Sequence, residues 1–198
     1  MGSAAGIGVL GGSFDPIHNG HLLAASQVAA QLNLSKVLFV PAGNQWQKTG
    51  QTLGSHRLNM VQLAVADNPA FEVSQIDLDR TGPTYTVDTL SELRTLHPAA
   101  ELFFIAGTDA VAGMDSWHQA ELLDQLATVV VVTRPGHDLQ VPSVLKKPVV
   151  RVQIPALDIS STDIRDRVSK GLPIRYLVPD QVADYIFKHR LYRGGSVE

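Results

Sequence analysis

Short runs of β-branched and other apolar residues recur at positions 7–10, 36–40, 71–76, 102–106, 128–133 and 149–154, each about the length of a strand. Few of these runs alternate with polar residues, so most predict strands buried on both faces, as in a parallel sheet covered by helices. Between them the period changes. Residues 21–32, 56–66, 85–96 and 119–126 carry apolar positions three and four apart, which is the helical spacing. Strand and helix therefore alternate, and the expected fold class is α/β, a doubly wound and mostly parallel sheet with helices on both faces. Near the end the pattern gives way to two successive helices, 163–169 and 180–189, with Gly171 and Pro173 between them and Pro179 suited to a first turn.

No internal repeat, low-complexity tract or linker divides the chain, so residues 1–198 are expected to form one domain. Residues 1–6 are expected to be flexible, residues 43–54 to form a long polar surface loop, and residues 159–193 to form a C-terminal helical segment. With 44% hydrophobic and 18% charged residues, the chain can bury one substantial core. A formal charge of -3 offers no global attraction for polyanions. The basic stretch at 188–193 has a simpler explanation as cations at a helix C-terminus, so no nucleic-acid partner is expected. Cysteine is absent, which excludes disulfides, thiolate metal sites and a cysteine nucleophile together. The opening residues lack the pattern of a signal peptide, and no apolar run approaches the roughly 20 residues that cross a bilayer. A cytoplasmic location with no membrane partner is the expectation.

Candidate chemistry starts at the first strand. Gly6, Gly8 and Gly11 match the G-x-G-x-x-G pattern of dinucleotide folds, but the first two fall before or inside the strand instead of after it, where the fingerprint needs them. No Gly-Lys-Ser or Gly-Lys-Thr of a P-loop occurs. The stronger signal is the string from Gly11 to His21, GGSFDPIHNGH, between the first strand and the first helix. Gly11 and Gly12 allow a ligand close to the backbone, and a helix beginning near Gly20 offers unpaired amides and a positive dipole end. His18 and His21 add donors, strongest towards phosphate when protonated. A capped turn with two surface histidines, or a zinc pair with distant partners, is the plainer alternative. Near the other end, Ser160, Ser161 and Thr162 are natural helix caps, with Arg165 one turn later able to fork onto phosphate oxygens.

Together these two segments resemble the paired signatures of the nucleotidyltransferase superfamily, a His-x-Gly-His turn and a Ser-Ser-Thr-x-x-Arg segment on a Rossmann-like core. Within it, the chain is most similar to the nicotinate mononucleotide adenylyltransferases, from Gly8 to about Tyr192. The resemblance implies transfer of the adenylyl group of ATP to nicotinate mononucleotide, forming nicotinate adenine dinucleotide and pyrophosphate. It implies that His18, His21 and Arg165 are catalytic, and that Gly11, Gly12, Ser13, Phe14, Gly20, Gly107, Asp109, Ser161 and Thr162 bind ATP. Thr84, Tyr85 and Thr86, with Trp117, would meet the nicotinate ring, and Lys48 and Arg134 would bring positive charge to the substrate phosphates. One departure stands out: Gln47 precedes Lys48 where many relatives carry a histidine.

An anionic phosphate nucleophile needs no general base, which agrees with motifs rich in cations, amides and hydroxyls. Mg²⁺ is expected on the triphosphate, with no protein metal site. A homo-oligomer is compatible with the sequence. Other adenylyl- or cytidylyltransferases, using phosphopantetheine or nicotinamide mononucleotide, and a non-catalytic nucleotide sensor remain as alternatives at this stage.

Overall fold

The computed structural model describes residues 5–43, 51–133 and 140–193. Among these residues six strands, β1 (Gly6–Gly12), β2 (Lys36–Pro41), β3 (Phe71–Val73), β4 (Glu101–Gly107), β5 (Thr128–Thr133) and β6 (Val150–Gln153), form one sheet in the order β3-β2-β1-β4-β5-β6. Every pairing is parallel. The helices are α1 (Asn19–Gln31), α2 (Gly54–Val65), α3 (Ile76–Asp79), α4 (Thr86–Leu96), α5 (Thr108–Ala112), α6 (Leu123–Leu126), α7 (Ser161–Ser169) and α8 (Asp180–Lys188).

Both faces of the sheet are buried, and the strands divide their side chains between two cores. Val37, Phe39, Ile105, Val130 and Val132 point to one core with residues of α1, α2, α7 and α8, while Val9, Leu38, Val40, Phe104 and Val131 point to the other with residues of α4, α5 and α6. Parallel strands sandwiched in this way need apolar residues at successive positions, which explains the continuous runs.

Differences from the expected elements are local. Residues 71–76 do not form one strand: pairing ends at Val73, and Ile76 starts the short α3. The expected helix 119–126 is a 3-10 turn, Ala120–Leu122, followed by α6, and Gln119 precedes it in the left-handed region at φ 48°. Gly6 opens β1, so it lies outside any flexible leader; residues 1–4 lie outside the described residues. Gly6, Gly8 and Gly11 all lie within β1. A Cβ at Gly6 or Gly8 would come within 3.0 Å of Leu34, so these two glycines serve packing and not a phosphate turn.

Candidate active site

The sheet reverses its winding between β1 and β4, and open α/β sheets leave a crevice at the carboxyl ends of the strands at such a point. A cleft of 1290 Å³ occupies this place. Gly11 to Asp15, His18, Gly20 and His21, with Ile159 to Thr162 and Arg165, line one part of it, and Thr84 to Thr86, Gly107 to Asp109 and Trp117 line another. Segments that are far apart in sequence thus meet around one space. Lys48 and Arg134 lie outside the described residues.

The turn between β1 and α1 sets the cleft's floor. A Cβ at Gly11, or at Gly107 across the sheet reversal, would meet no atom within 4 Å, so both strand ends leave their backbones open to the cleft. Phe14 adopts φ 49° and is buried, with its ring edge-on to His21 at 5.1 Å. His18 and His21 stack at 3.6 Å between centroids. A Cβ at Gly20 would approach His18 Nδ1 to 3.0 Å, so the small residue between the histidines makes room for the His18 ring.

His21 Nδ1 accepts a hydrogen bond from the His18 backbone N–H at 3.2 Å. In the neutral ring that leaves the proton on Nε2, a fixed donor. Burial, and secondarily the neighbouring His18, hold the His21 pKa well below 6.5. His21 is thus favoured as a neutral ring that donates without carrying charge. The sign of the stability effect follows. Below pH 6.5 the unfolded chain binds a proton at this position that the folded chain refuses, so stability falls on acidification. Urea unfolding across pH 7.5 to 5 is expected to show a smaller acid loss in His21→Ala than in wild type; parallel curves would rule out this titration.

The C-terminal segment closes the same floor. Ser160 caps α7 by accepting from Asp163 N–H at 3.0 Å. Ser161 Oγ donates to Pro16 O at 2.8 Å, and Arg165 Nη1 donates to Asp15 O at 2.7 Å, while Nη2 reaches Thr162 Oγ1 at 3.2 Å. Arg165 keeps further N–H donors beyond these two bonds. Asn19 binds back to the same segment through Tyr176 O at 2.7 Å and Leu177 O at 2.9 Å.

On the opposite side, α4 begins at Thr86, which lines the cleft beside Tyr85, and the first amides of a helix lack partners within it. Thr84 Oγ1 is buried and has no hydrogen-bond partner among the described residues. Gly43 packs so tightly that a Cβ would sit 2.0 Å from Asp77 O and 2.8 Å from Thr84 Oγ1. Trp117 presents an edge to Phe104 at 6.2 Å and lines the cleft. Asp109 is exposed at the start of α5.

Several participants carry no sequence signature. Arg57, 3% exposed, donates to Thr52 O, Ser13 O and Ala42 O at 3.0, 2.7 and 2.8 Å. Asp77 accepts from Thr89 Oγ1 at 2.7 Å and from Arg80 Nη1 at 2.8 Å; burial raises its pKa against the pull of those partners. His118 lies against the Tyr85 ring at 4.3 Å. A lone charge on an amphipathic helix reads as a solvated residue, and only the tertiary carbonyls around Arg57 show otherwise.

Among the described residues no group of three His, Asp or Glu side chains could hold a metal ion, and no helix is long and apolar enough to cross a membrane. Residues 9–167 match the family described as cytidylyltransferase-like. A protein of Leifsonia xyli subsp. xyli, named a probable nicotinate-nucleotide adenylyltransferase, is 55% identical over 95% of this chain and 94% of its own length. One of Streptomyces coelicolor with the same name is 54% identical over 93% of this chain and 100% of its own. Among solved structures, the Plasmodium falciparum nicotinic acid mononucleotide adenylyltransferase in complex with NaAD superimposes with a TM-score of 0.77 at 25% identity, covering 95% of this chain and 97% of its own.

Proposed function

This chain belongs to the cytidylyltransferase-like family, and within it to the nicotinate-nucleotide adenylyltransferases, and from that premise we propose how its residues divide the work of the reaction. The enzyme transfers the adenylyl group of ATP to nicotinate mononucleotide, giving nicotinate adenine dinucleotide and pyrophosphate. The reading of the site is carried by one observation: the crevice at the sheet reversal joins two phosphate-type segments to a helix start flanked by aromatic residues.

ATP lies over β1 and α1. The open backbones of Gly11, Gly12 and Gly107 admit it, Ser13 and Phe14 shape the turn, and Asp109 approaches the adenosine. His18 and His21 donate to the triphosphate, and Gly20 keeps the two rings together. Ser161 and Thr162, at the first turn of α7, and Arg165 hold the β and γ groups that depart as pyrophosphate. Nicotinate mononucleotide takes the other side. The orphan Thr84 hydroxyl and the first amides of α4 at Tyr85 and Thr86 suit its carboxylate, and Trp117 suits its ring. Lys48 and Arg134 offset repulsion between the two anions.

The substrate phosphate is already anionic and attacks the α-phosphorus in line with the leaving group, so no side chain has to remove a proton. The protein's part is alignment and stabilisation of developing charge. Mg²⁺ fits as a companion of the triphosphate, because it is commonly held by substrate phosphates with few protein carboxylates. When bound, it neutralises phosphate charge. We assign the reaction to one domain working in the cytoplasm.

Pyrophosphate release from ATP and Mg²⁺ with either nicotinate or nicotinamide mononucleotide tests the assignment. A site built from amides and a hydroxyl donor is expected to turn over the acid far better than the amide. Equal turnover of the two would remove the carboxylate role of Thr84 to Thr86.

A further inference from the structure

We propose that Tyr192 is a positioning residue for the ATP side of the cleft, occupying the Asp15 carboxylate so that Arg165 stays available to the triphosphate; this rests on the reading of the cleft given above. Asp15 lies in the turn between β1 and α1 and is 6% exposed. Its Oδ1 accepts from Tyr192 O–H at 2.7 Å and its Oδ2 from Thr52 N–H at 3.1 Å. Its backbone carbonyl accepts from Arg165 Nη1 at 2.7 Å. One residue is therefore held at its side chain by Tyr192 and at its backbone by the arginine assigned to the leaving group.

The arrangement is specific to a phenol. Burial, and then the adjacent Asp15 charge, push the Tyr192 pKa far above 10, so its hydroxyl remains a donor at every working pH. Met60 Sδ lies 4.0 Å from the same oxygen. Tyr192 itself has φ 62°, and Phe14, just before Asp15, has φ 49°. Bulky residues adopt this left-handed region only when their surroundings fix them there.

Removing the hydroxyl would leave Asp15 Oδ1 bare in a buried place, with the Arg165 guanidinium already on the same residue's carbonyl. An unsatisfied carboxylate oxygen draws a nearby cation; Arg57 is committed to three carbonyls, whereas Arg165, already on the Asp15 carbonyl, is the cation the triphosphate needs. Tyr192 prevents this internal ion pair, and Asp15 in turn fixes the segment at Thr52.

The test is titration calorimetry of ATP, and separately of nicotinate mononucleotide, on the full chain. Tyr192→Phe is expected to weaken ATP binding about tenfold, the size expected for a hydrogen bond to a charged group, and to leave nicotinate mononucleotide binding unchanged. Asp15→Asn has no charge to draw Arg165, so it is expected to bind ATP within about twofold of wild type. In that background Tyr192→Phe is expected to add less than a further twofold. ATP binding unchanged in Tyr192→Phe, equal loss for both substrates, or independent multiplication of the two substitutions would overturn the proposal. If Tyr192→Phe did not fold, Asp15→Asn alone would decide it, since a large loss of ATP affinity there contradicts the proposal. Wild-type turnover with nicotinate mononucleotide is a separate readout, and its failure would strike the reading of the cleft while the ATP titrations still judged Tyr192.

Discussion

His21→Ala is expected to lower turnover at saturating substrates by on the order of 10²- to 10³-fold, the loss typical of a preorganised donor to developing charge. Its ATP affinity is expected to change by only a few-fold. The geometry supports that division. His21 has one nitrogen committed to the His18 backbone, is stacked against the His18 ring, and meets Phe14 edge-on, so its free N–H has a fixed direction. A donor fixed in this way adds little to a flexible ground-state triphosphate and most to the charge that builds as pyrophosphate departs. The neutral ring carries no hydration shell of a charged group to be stripped when substrate arrives. Single-turnover pyrophosphate release beside equilibrium ATP binding separates the two effects. A rate within a few-fold of wild type would take His21 out of the transition state.

Arg57→Met is expected to destabilise the fold by about 3–5 kcal/mol, the range for removing one member of a buried charged network. Three carbonyls from Ser13, Ala42 and Thr52 would lose their donor at once, and Asp15 would lose the buried positive charge beside it. Burial lowers the Arg57 pKa from 12.5, yet a guanidinium stays charged at neutral pH, and a lysine lacks the planar fork to serve all three carbonyls. Urea unfolding should therefore show Arg57→Lys between wild type and Arg57→Met, with similar slopes. With total stabilities usually near 5–15 kcal/mol, the methionine variant would stand close to its folding limit. A loss below about 1 kcal/mol would mean that water replaces the guanidinium at those carbonyls.

The parallel sheet was legible because its strands are buried on both faces and so need unbroken apolar runs such as 37–40 and 129–132. Strand order was not, since β1 and β4 are neighbours although about 90 residues separate them, and no local pattern encodes that choice. Elements shorter than two turns escaped for a related reason. In α3, α5 and the Ala120–Leu122 turn the chain changes direction to satisfy tertiary contacts, and a period cannot be read from three to five residues. The glycine-histidine turn and the Ser-Ser-Thr segment could be placed because caps and glycines act locally. What each side chain touches could not. Ser161 binds Pro16, Arg165 binds Asp15, and Arg57 binds three loops, all across the fold.

Those distant partners also set an order in time. The turn that follows β1 is made before Arg165 and Tyr192, which bind Asp15 and lie 150 and 177 residues further along. At roughly 5–20 residues per second of synthesis, the buried carboxylate of Asp15 waits on the order of 10–35 seconds for the phenol that will occupy it. Until then β1 and its turn have their neighbours in the sheet, and Arg57 and Thr52 hold Ser13 and Asp15, but the contacts from the C-terminal segment are missing. Competence for chemistry therefore arrives when α7 docks and brings Ser161 and Arg165 to the turn.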